Sequence, residues 1–444
     1  MREMKDSGVE WIGEIPKDWS TIRLKYLLTK KKNSIKVGPF GSQIKGNDFV
    51  DEGVPVYTQR TVLDDDFING DAFITKEKYS LLKGFEVEPL DFLITTRGSI
   101  GRVAIAPEDV RPGIIHPCII KFTIDRNIYN DQLLKYIFNG SDMILEQLVL
   151  ASNATTIPVV YSEPLKNVII PMAPYNQQQK IVRYLNEECT KIDAVIKKQQ
   201  AIIEKLKEYK LSIIAEGVTK GIDCKAEFKD SGIEWIGKIP KHWTVTKMKQ
   251  VALFFNGDRS SKYPSGEDIV DEGVFFITSN NLGEIVLDTS IETNKYITHS
   301  KYQELGGAKI RMNDIIFCLR GSVGKCAINK SITEGTIASS LVDIRATGIN
   351  PDFLNMVLHT TGVTTVASVN AIGIGSLNLA ATDISEVVIP LPPAKEAEEI
   401  AERLSNKTAE IDKKISIHEK LINQLNDFKR SLIYEMVSGK KQVL

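Results

Sequence analysis

The segment EMKDSGVEWIGEIPKDWS, residues 3–20, decides the fold because it returns as EFKDSGIEWIGKIPKHWT at residues 227–244. Thirteen of these eighteen positions are identical, at a constant offset of 224 residues. A second pair of segments recurs further along, VIIPMAP at 168–174 and VVIPLPP at 387–393. The chain is therefore an internal duplication, and we expect one structural unit built twice, with a pseudo-two-fold relation between the copies.

Length and composition describe a multidomain globular protein. The 444 residues are too many for one ordinary core, and 42% hydrophobic with 25% charged residues is typical of soluble domains. A net charge of −1 excludes a chain that is basic throughout, so a nucleic-acid surface would have to be a local patch or be completed by partners. The five cysteines form no CxxC motif, which favours a reducing, cytoplasmic location.

Two long stretches without proline or glycine, residues 176–216 and 394–437, predict long helices that follow a strand and a proline. At 1.5 Å per residue each would be about 60 Å long. Apolar residues recur every seven positions in the first stretch, and again 219 residues later. This heptad pattern predicts an antiparallel coiled coil between the copies. The two stripes are Leu185, Ile192, Leu206 and Ile213, and Leu404, Ile411, Leu425 and Leu432.

Gln199 and His418 interrupt the two stripes at equivalent positions. They are either tolerated polar core residues or partners that meet and fix the helix register, as buried polar residues in coiled coils can. A metal-binding role for His418 has no second histidine or cysteine in support. Whether the helices pair within one chain or between two chains stays open.

The blocks at about 20–170 and 244–390 alternate β-rich runs with Gly/Asn/Asp turns and short helices, so we expect two mixed domains. Their clearest common motif is DFLITTRGSIGRVAI (91–105) against DIIFCLRGSVGKCAI (314–328). In both, an apolar strand runs into Arg-Gly-Ser-x-Gly. Arg97 and Arg320 either pair with Asp91 and Asp314 in a structural turn or contact phosphate or sugar.

Polar segments differ between the two blocks where the framework is shared. Gln59-Arg60 after the first VDEGV corresponds to Ser279-Asn280-Asn281 after the second, and SNATTIP (152–158) corresponds to IGIGSLN (372–378). Side chains of these types form hydrogen bonds with base edges, although each alone is also typical of a solvated loop. The candidate DNA-binding residues are Lys36, Gln59, Arg60, Arg97, Ser99, Asn153, Thr155, Ser279, Asn280, Asn281, Arg320, Ser322, Lys325, Ser376 and Asn378.

Common catalytic motifs are absent from the sequence. There is no GxxxxGK[ST] loop, no HExxH, no zinc spacing of Cys and His, and no G-x-S-x-G elbow. The methyltransferase motif Asn/Asp-Pro-Pro-aromatic is also missing. We therefore expect no catalytic centre and no metal site.

The duplicated EWIGxIPxxW segment, the two blocks and the helices with Ile192-Asp193 and Ile411-Asp412 together resemble the specificity (S) subunit of type I restriction–modification systems. The resemblance implies an α+β protein: two mixed α/β target-recognition domains separated by two long antiparallel coiled-coil helices. It assigns residues 1–19 to a linking segment, 20–170 and 244–390 to the recognition domains, and 171–243 and 391–444 to helical regions.

The resemblance also implies a function and partners. Each recognition domain would read one half of a bipartite, asymmetric site in double-stranded DNA, and the helices would bind two methyltransferase (M) subunits. S-adenosylmethionine would bind the M partner, and ATP and Mg would bind the restriction (R) partner, so this chain would hold no cofactor. The alternatives are a self-contained methyltransferase or nuclease fragment and a coiled-coil scaffold without a DNA role.

Overall fold

The computed structural model of the chain describes residues 3–31, 33–151, 159–223, 225–370 and 378–442. The chain divides into two compact units. Unit 1 is Met1–Gln199 with Lys420–Leu444, and unit 2 is Gln200–Glu419. Each unit thus contains one of the two mixed blocks and a part of each long helix.

Unit 1 is built from short strands and helices. Its strands are β1 (Met4–Asp6), β2 (Glu14–Pro16), β3 (Ser20–Arg23), β4 (Ile35–Val37), β5 (Phe49–Val50), β6 (Val54–Tyr57), β7 (Phe73–Ile74), β8 (Phe92–Thr95), β9 (Val103–Ile105), β10 (Ile114–Ile115), β11 (Ile119–Phe122) and β12 (Ile169–Met172). Its short helices are α1 (Gln59–Asp64), α2 (Lys76–Leu81), α3 (Asp131–Gly140), α4 (Met143–Ala151) and α5 (Ser162–Asn167).

The first long helix, α6, spans Tyr175–Lys220, so it continues beyond the predicted end at residue 216 and through Gly217. A side chain at Gly217 would collide with Leu404, since a Cβ there would lie 2.8 Å from the leucine Cδ2. Gly217 is therefore a close-packing position inside the helix and does not end it.

Unit 2 follows with a matching set of elements. Its strands are β13 (Phe228–Asp230), β14 (Lys238–Pro240), β15 (Thr244–Lys247), β16 (Ala252–Asn256), β17 (Ile269–Val270), β18 (Val274–Ile277), β19 (Tyr296–Ile297), β20 (Ile315–Cys318), β21 (Cys326–Ile328), β22 (Gly335–Ile337), β23 (Leu341–Ala346) and β24 (Val388–Leu391). Its helices are α7 (His299–Glu304), α8 (Pro351–Leu358), α9 (Thr361–Asn370) and α10 (Ala381–Ser385), and the second long helix is α11 (Ala394–Val437).

The sheets have the same strand order in both units, which confirms the duplication at the level of the fold. Unit 1 contains β1-β2, β12-β3, β4-β11-β8-β9 and β10-β6-β7-β5; unit 2 contains β13-β14, β15-β24, β16-β23-β20-β21 and β22-β18-β19-β17. One pair in each unit is parallel, β10 with β6 and β22 with β18. The predicted strand runs around residues 92, 103 and 119 are confirmed as β8, β9 and β11.

The core of each unit joins the mixed block to the helices. In unit 1, Leu185 and Ile192 of α6 are buried in one cluster with Leu432 of α11 and Trp19. In unit 2, Leu404 of α11 is buried with Trp243 in the equivalent cluster. The predicted heptad stripe faces inward. Leu185, Ile192, Leu404, Ile411 and Leu432 are buried, and Leu206, Ile213 and Leu425 are half-buried. Burial of such an apolar face holds a long helix in place.

Candidate functional site

The Arg-Gly-Ser-x-Gly loops connect β8 to β9 and β20 to β21. Gly98 and Gly101 have φ values of +66° and +79°, and Gly321 and Gly324 have +80° and +88°, which explains why glycine occupies these positions. Arg97 and Ser99 are exposed in the first loop. The corresponding side chains of the second loop, Arg320, Ser322 and Lys325, are exposed as well.

The structural interpretation of the loop arginines, in which they pair with Asp91 and Asp314, is wrong. Asp91 is buried and accepts hydrogen bonds from Lys121 Nζ at 2.8 Å and from Thr123 Oγ1 at 2.5 Å. Asp314 is bonded through both oxygens to the Arg345 guanidinium, at 2.8 and 2.6 Å. Since these carboxylates are occupied inside the domains, Arg97 and Arg320 are free of that role.

The structure brings Gln59 next to the first loop. Gln59 is the first residue of α1, and a Cβ placed on Gly98 would lie 3.3 Å from Gln59 Nε2. Arg60 is exposed beside it and forms an ion pair with Asp64 at 3.2 Å. Gln59, Arg97 and Ser99 therefore form one polar surface group, which we name the unit 1 loop group.

In the equivalent turn of unit 2, only some of the polar side chains are accessible to a ligand. Ser279 is half-buried and Asn280 is exposed. Asn281, in contrast, is 1% exposed, and its side chain bonds the Thr278 backbone N–H at 2.9 Å and Asn294 Oδ1 at 2.8 Å. The proposed base contact by Asn281 is therefore corrected, because its amide holds the turn together.

A second segment reaches the loop in both units. Asn378 pairs with Arg320 as an isolated antiparallel bridge, and the Leu379 N–H donates to the Leu319 carbonyl at 3.0 Å. In unit 1 the Val160 N–H donates to the Thr96 carbonyl, also at 3.0 Å. Asn378 thus lies beside the loop as its predicted role requires. Asn153, Thr155 and Ser376 lie outside the described residues.

Lys36 has a partner inside its own domain. Its ammonium group lies 4.9 Å from the centre of the Phe85 ring, in a cation–π contact. Lys31, from the neighbouring basic run, lies 3.8 Å from Glu88. The structure does not place either lysine in the loop group.

Beneath the loops, the two domains differ in buried charge. The sheet register places Asp343 opposite Ile316, as Lys121 lies opposite Leu93 in unit 1. Burial, together with the charge of Asp314, raises the pKa of Asp343 to about 8. Among the described residues, Asp343 Oδ1 has no hydrogen-bond partner. A buried cation of one copy is thus replaced by a carboxyl that favours its neutral form.

The joints between the linking segments and the helices are also equivalent but chemically different. In unit 1, Trp19 Nε1 donates to Gln177 Oε1 at 2.8 Å, and Gln177 Nε2 donates to Asp18 at 2.9 Å. In unit 2, His242 Nε2 lies 2.7 Å from Glu396 Oε2. Both polar partners have changed together, so the contact itself is retained.

The helices pair antiparallel within each unit. Lys429 of α11 bonds Asp193 of α6 in unit 1, and Lys210 of α6 bonds Asp412 of α11 in unit 2. Asp193 and Asp412 are the aspartates of the two Ile-Asp pairs. The predicted meeting of Gln199 with His418 stays a prediction.

Lys210 makes a further contact that the sequence alone does not indicate. Its ammonium group also bonds Glu284 Oε2 at 2.5 Å, and the Glu284 backbone carbonyl accepts a hydrogen bond from His359 Nε2 at 2.6 Å. The one available signal was that Lys210 and Lys429 are separated by the same 219 residues as the heptad stripes.

Neither a metal-binding cluster nor a membrane-spanning helix occurs in the described parts of the chain. No group of three or more His, Cys, Asp or Glu residues there is arranged to hold a metal ion. No helix within the same residues has the length and apolar character needed to cross a membrane.

Comparison with known proteins gives consistent matches. Residues 16–213 and 240–427 match the family model described as type I restriction modification DNA specificity domain. The specificity subunit of the type I restriction enzyme MjaVIII from Methanocaldococcus jannaschii is 26% identical over 443 residues, covering 97% of this chain and 94% of that protein. The EcoBI specificity subunit from Escherichia coli is 24% identical over 419 residues, covering 90% and 83%.

A solved structure shares the fold. Its subject is complex assembly and conformational transition of the type I R-M system, and one of its chains aligns with a TM-score of 0.68 at 16% identity. The alignment covers 96% of this chain and 99% of that chain.

Proposed function

Because the chain belongs to the type I restriction modification DNA specificity family, whose members are non-catalytic subunits, we propose that it reads a bipartite, asymmetric site in double-stranded DNA. Each recognition domain would read one half. One observation carries this proposal: the same loop framework occurs in both units with different polar side chains, which are exposed or half-buried. Gln59 and Arg60 in unit 1 stand where unit 2 has Ser279 and Asn280.

The loop groups supply suitable chemistry. The amide of Gln59 can bond adenine through two hydrogen bonds, and the Ser279 hydroxyl and Asn280 amide offer different patterns to the other half-site. Arg97 and Arg320, at the same place in both loops, suit phosphate contacts that position the domain without reading sequence. The near-neutral net charge of −1 suits a subunit whose partners complete the positive surface around DNA.

The long helices would set the distance between the half-sites. α6 contains 46 residues and belongs to unit 1 at its start and to unit 2 at its end. At 1.5 Å per residue it is about 69 Å long. A continuous helix resists compression, so its length would determine the number of base pairs between the two half-sites.

The outer faces of the helices would bind the two M subunits. Apolar side chains remain exposed there, with Val195 at 40% and Tyr209 at 57% on α6 and Phe428 at 55% on α11. Exposed apolar and aromatic residues of this kind mark protein interfaces. S-adenosylmethionine would bind the M subunits, and ATP and Mg would bind the R subunits.

Methylome sequencing of cells that express this chain with its M partner tests the proposal. The expected result is one bipartite, asymmetric methylated motif. Exchange of residues 20–170 for the same block of a homologue should change one half of the motif and leave the other half unaltered. Methylation without a bipartite motif, or a block exchange that does not change the motif, would contradict the proposal and favour the alternative of a coiled-coil scaffold without a DNA role. Robust S-adenosylmethionine binding by the purified chain would instead indicate a self-contained enzyme.

A further inference from the structure

Because the chain is duplicated, each groove of one unit can be compared with its equivalent in the other unit. The groove beside α8 is filled by a chain segment in unit 2, whereas the equivalent groove beside α3 is more open in unit 1. In unit 2, residues 284–287 lie along the edge of β21: the Ile328 N–H donates to the Ile285 carbonyl at 2.9 Å, and the Leu287 N–H donates to the Ile328 carbonyl at 3.0 Å. This segment, which we name the edge segment, occupies the space between α8 and α6.

Three side chains of the surrounding helices hold the edge segment. Lys210 of α6 bonds the Glu284 carboxylate at 2.5 Å. His359, which directly follows α8, donates from Nε2 to the Glu284 carbonyl at 2.6 Å. Asn355 of α8 donates from Nδ2 to the Ile285 carbonyl at 3.0 Å. The edge segment is thus bound as an extended peptide with one anchored carboxylate.

In unit 1 the equivalents of these three residues are Lys429, Asn139 and Lys135, and they line a groove of about 560 Å³. Arg102, Gln132 and Arg430 line the same groove. The loop that corresponds to the edge segment reaches α3 through Asp65, which pairs with Lys135 at 2.6 Å, whereas Asp64, at the position of Glu284, turns to Arg60.

The two equivalent lysines differ in side-chain exposure, as expected if one groove is filled and the other is more open. Lys210, which bonds two carboxylates, is 8% exposed, whereas Lys429, bonded to Asp193, is 27% exposed. The groove is also more basic than its counterpart, because Arg430 stands where unit 2 has Leu211. Four cationic side chains thus line the groove, and the filled counterpart holds a glutamate. Lys135 and Lys429 each pair with one aspartate and Arg102 bonds the Asn139 carbonyl, so the exposed Arg430 is the cation most available to a ligand.

We propose that this groove of unit 1 binds an extended, acidic peptide segment of a partner protein, with a carboxylate on Lys429 and Arg430. The occupant is a peptide because the same position in unit 2 is filled by one, through backbone carbonyls as well as through a carboxylate. The inference goes beyond the proposed function, since it concerns the groove between α3 and α11, not the outer helix faces, and is independent of the DNA bases that are read.

The edge segment itself supplies the probe. A capped, fluorescein-labelled peptide of residues 282–289, LGEIVLDT, is titrated into the full chain without DNA and followed by fluorescence anisotropy. We expect saturable binding. The same peptide with Glu284→Gln should bind about tenfold more weakly, because a charge-assisted hydrogen bond to Lys429 and Arg430 is lost.

Two protein variants locate the site. Arg430→Glu should weaken peptide binding about tenfold or more. If the peptide instead displaced the edge segment in unit 2, its affinity would not respond to Arg430→Glu, because unit 2 has Leu211 at this position. Lys420→Glu, an equal charge change at an exposed position of the same helix, should leave the affinity within about twofold. Thermal unfolding of both variants verifies that they fold.

Photo-cross-linking with the same peptide should give adducts in residues 131–140 and 426–433. Absence of saturable binding, or binding that Arg430→Glu does not change, would overturn the proposal. A variant that weakens DNA binding by the assembled complex while the peptide fails to bind would assign the groove to the DNA backbone, and would also overturn it. The methylated motif tests the proposed function separately.

Discussion

Lys429 donates to both carboxylate oxygens of Asp193, at 2.6 and 2.7 Å, and thereby fixes α11 against α6 in unit 1. The duplication places the same two residue types in unit 2 with the helices exchanged, since there Lys210 of α6 bonds Asp412 of α11 at 2.6 Å. One antiparallel register therefore serves both units, as expected when each helix carries the same pattern.

The lysines of these two ion pairs should differ in their effect on stability. Lys210→Met removes the buried ammonium group that bonds Asp412 and Glu284, whose side chains are 41% and 67% exposed, and should lower the free energy of unfolding of unit 2 by roughly 1–2 kcal/mol. Lys429→Met, at a more exposed pair, should cost unit 1 about 1 kcal/mol or less.

Hydrogen exchange followed by mass spectrometry measures the two units separately. Lys207→Met is the matched control, because Lys207 pairs with Glu204 on the exposed face of α6. Equal losses for Lys210→Met and Lys429→Met would contradict the role given to Glu284.

Asp343 should make the stability of unit 2 fall as the pH rises. Its folded-state pKa is raised from 3.8 to about 8 by burial and by Asp314. The stabilisation is complete below the unfolded pKa and is lost between about pH 4 and pH 8, where the unfolded chain releases a proton that the folded chain keeps.

Asp343→Asn should therefore remove this slope and raise stability at pH 8 by roughly 1 kcal/mol or more, since no anion has to be buried. Urea unfolding at pH 5 and pH 8 measures the difference. A slope between about pH 6.5 and pH 9 should remain, because burial lowers the pKa of His359 but its contacts with Cys326 and two carbonyls raise it by more, from 6.5 to about 9. An unchanged slope from pH 5 to pH 8 in the variant would exclude Asp343 as its source.

The contacts that could not be predicted from the sequence depend on the conformation of loops and on which distant residues they meet. The repeats, the long helices and the central strands were predictable because periodicity and duplication are local properties of the sequence. Asn281 resembled an exposed loop residue, and only the turn geometry shows that its amide is used internally. Glu284 and Lys210 are 74 positions apart and lie on different elements, so no periodicity in the sequence joins them.

The two joints should tolerate exchange of their polar pairs. His242→Asp alone brings a carboxylate against Glu396 and should destabilise unit 2 by about 1 kcal/mol. Adding Glu396→Gln recreates the Asp18–Gln177 pair of unit 1 and offers Trp243 Nε1, which has no partner among the described residues, an acceptor. The double variant should recover at least the loss in urea unfolding; additive losses would show that the joints are not equivalent.

Substitutions in the loops should distinguish residues that read bases from residues that position the domain on the DNA backbone. Gln59→Ala should relax one position in one half of the methylated motif, with a cost of about 1–3 kcal/mol for that base pair. Arg97→Ala should weaken binding to all sequences and reduce the salt dependence of affinity by about one charge. Lys36→Ala, whose ammonium group faces Phe85, is the control and should leave the motif unaltered. A changed motif with Arg97→Ala would make that residue a base reader.

Shortening both helices together tests whether they set the distance between the half-sites. Removal of the equivalent heptads 198–204 and 417–423 preserves the heptad phase and shortens each helix by about 10 Å. At about 3.4 Å per base pair, the gap between the half-sites should become about three base pairs shorter while the half-sites stay the same. Methylome sequencing reports both quantities at once. Deletion in one helix alone should abolish methylation, because the ion pairs of Asp193 and Asp412 could not both form. If the double deletion altered the half-site bases instead of the gap, the helices would not be acting as a spacer.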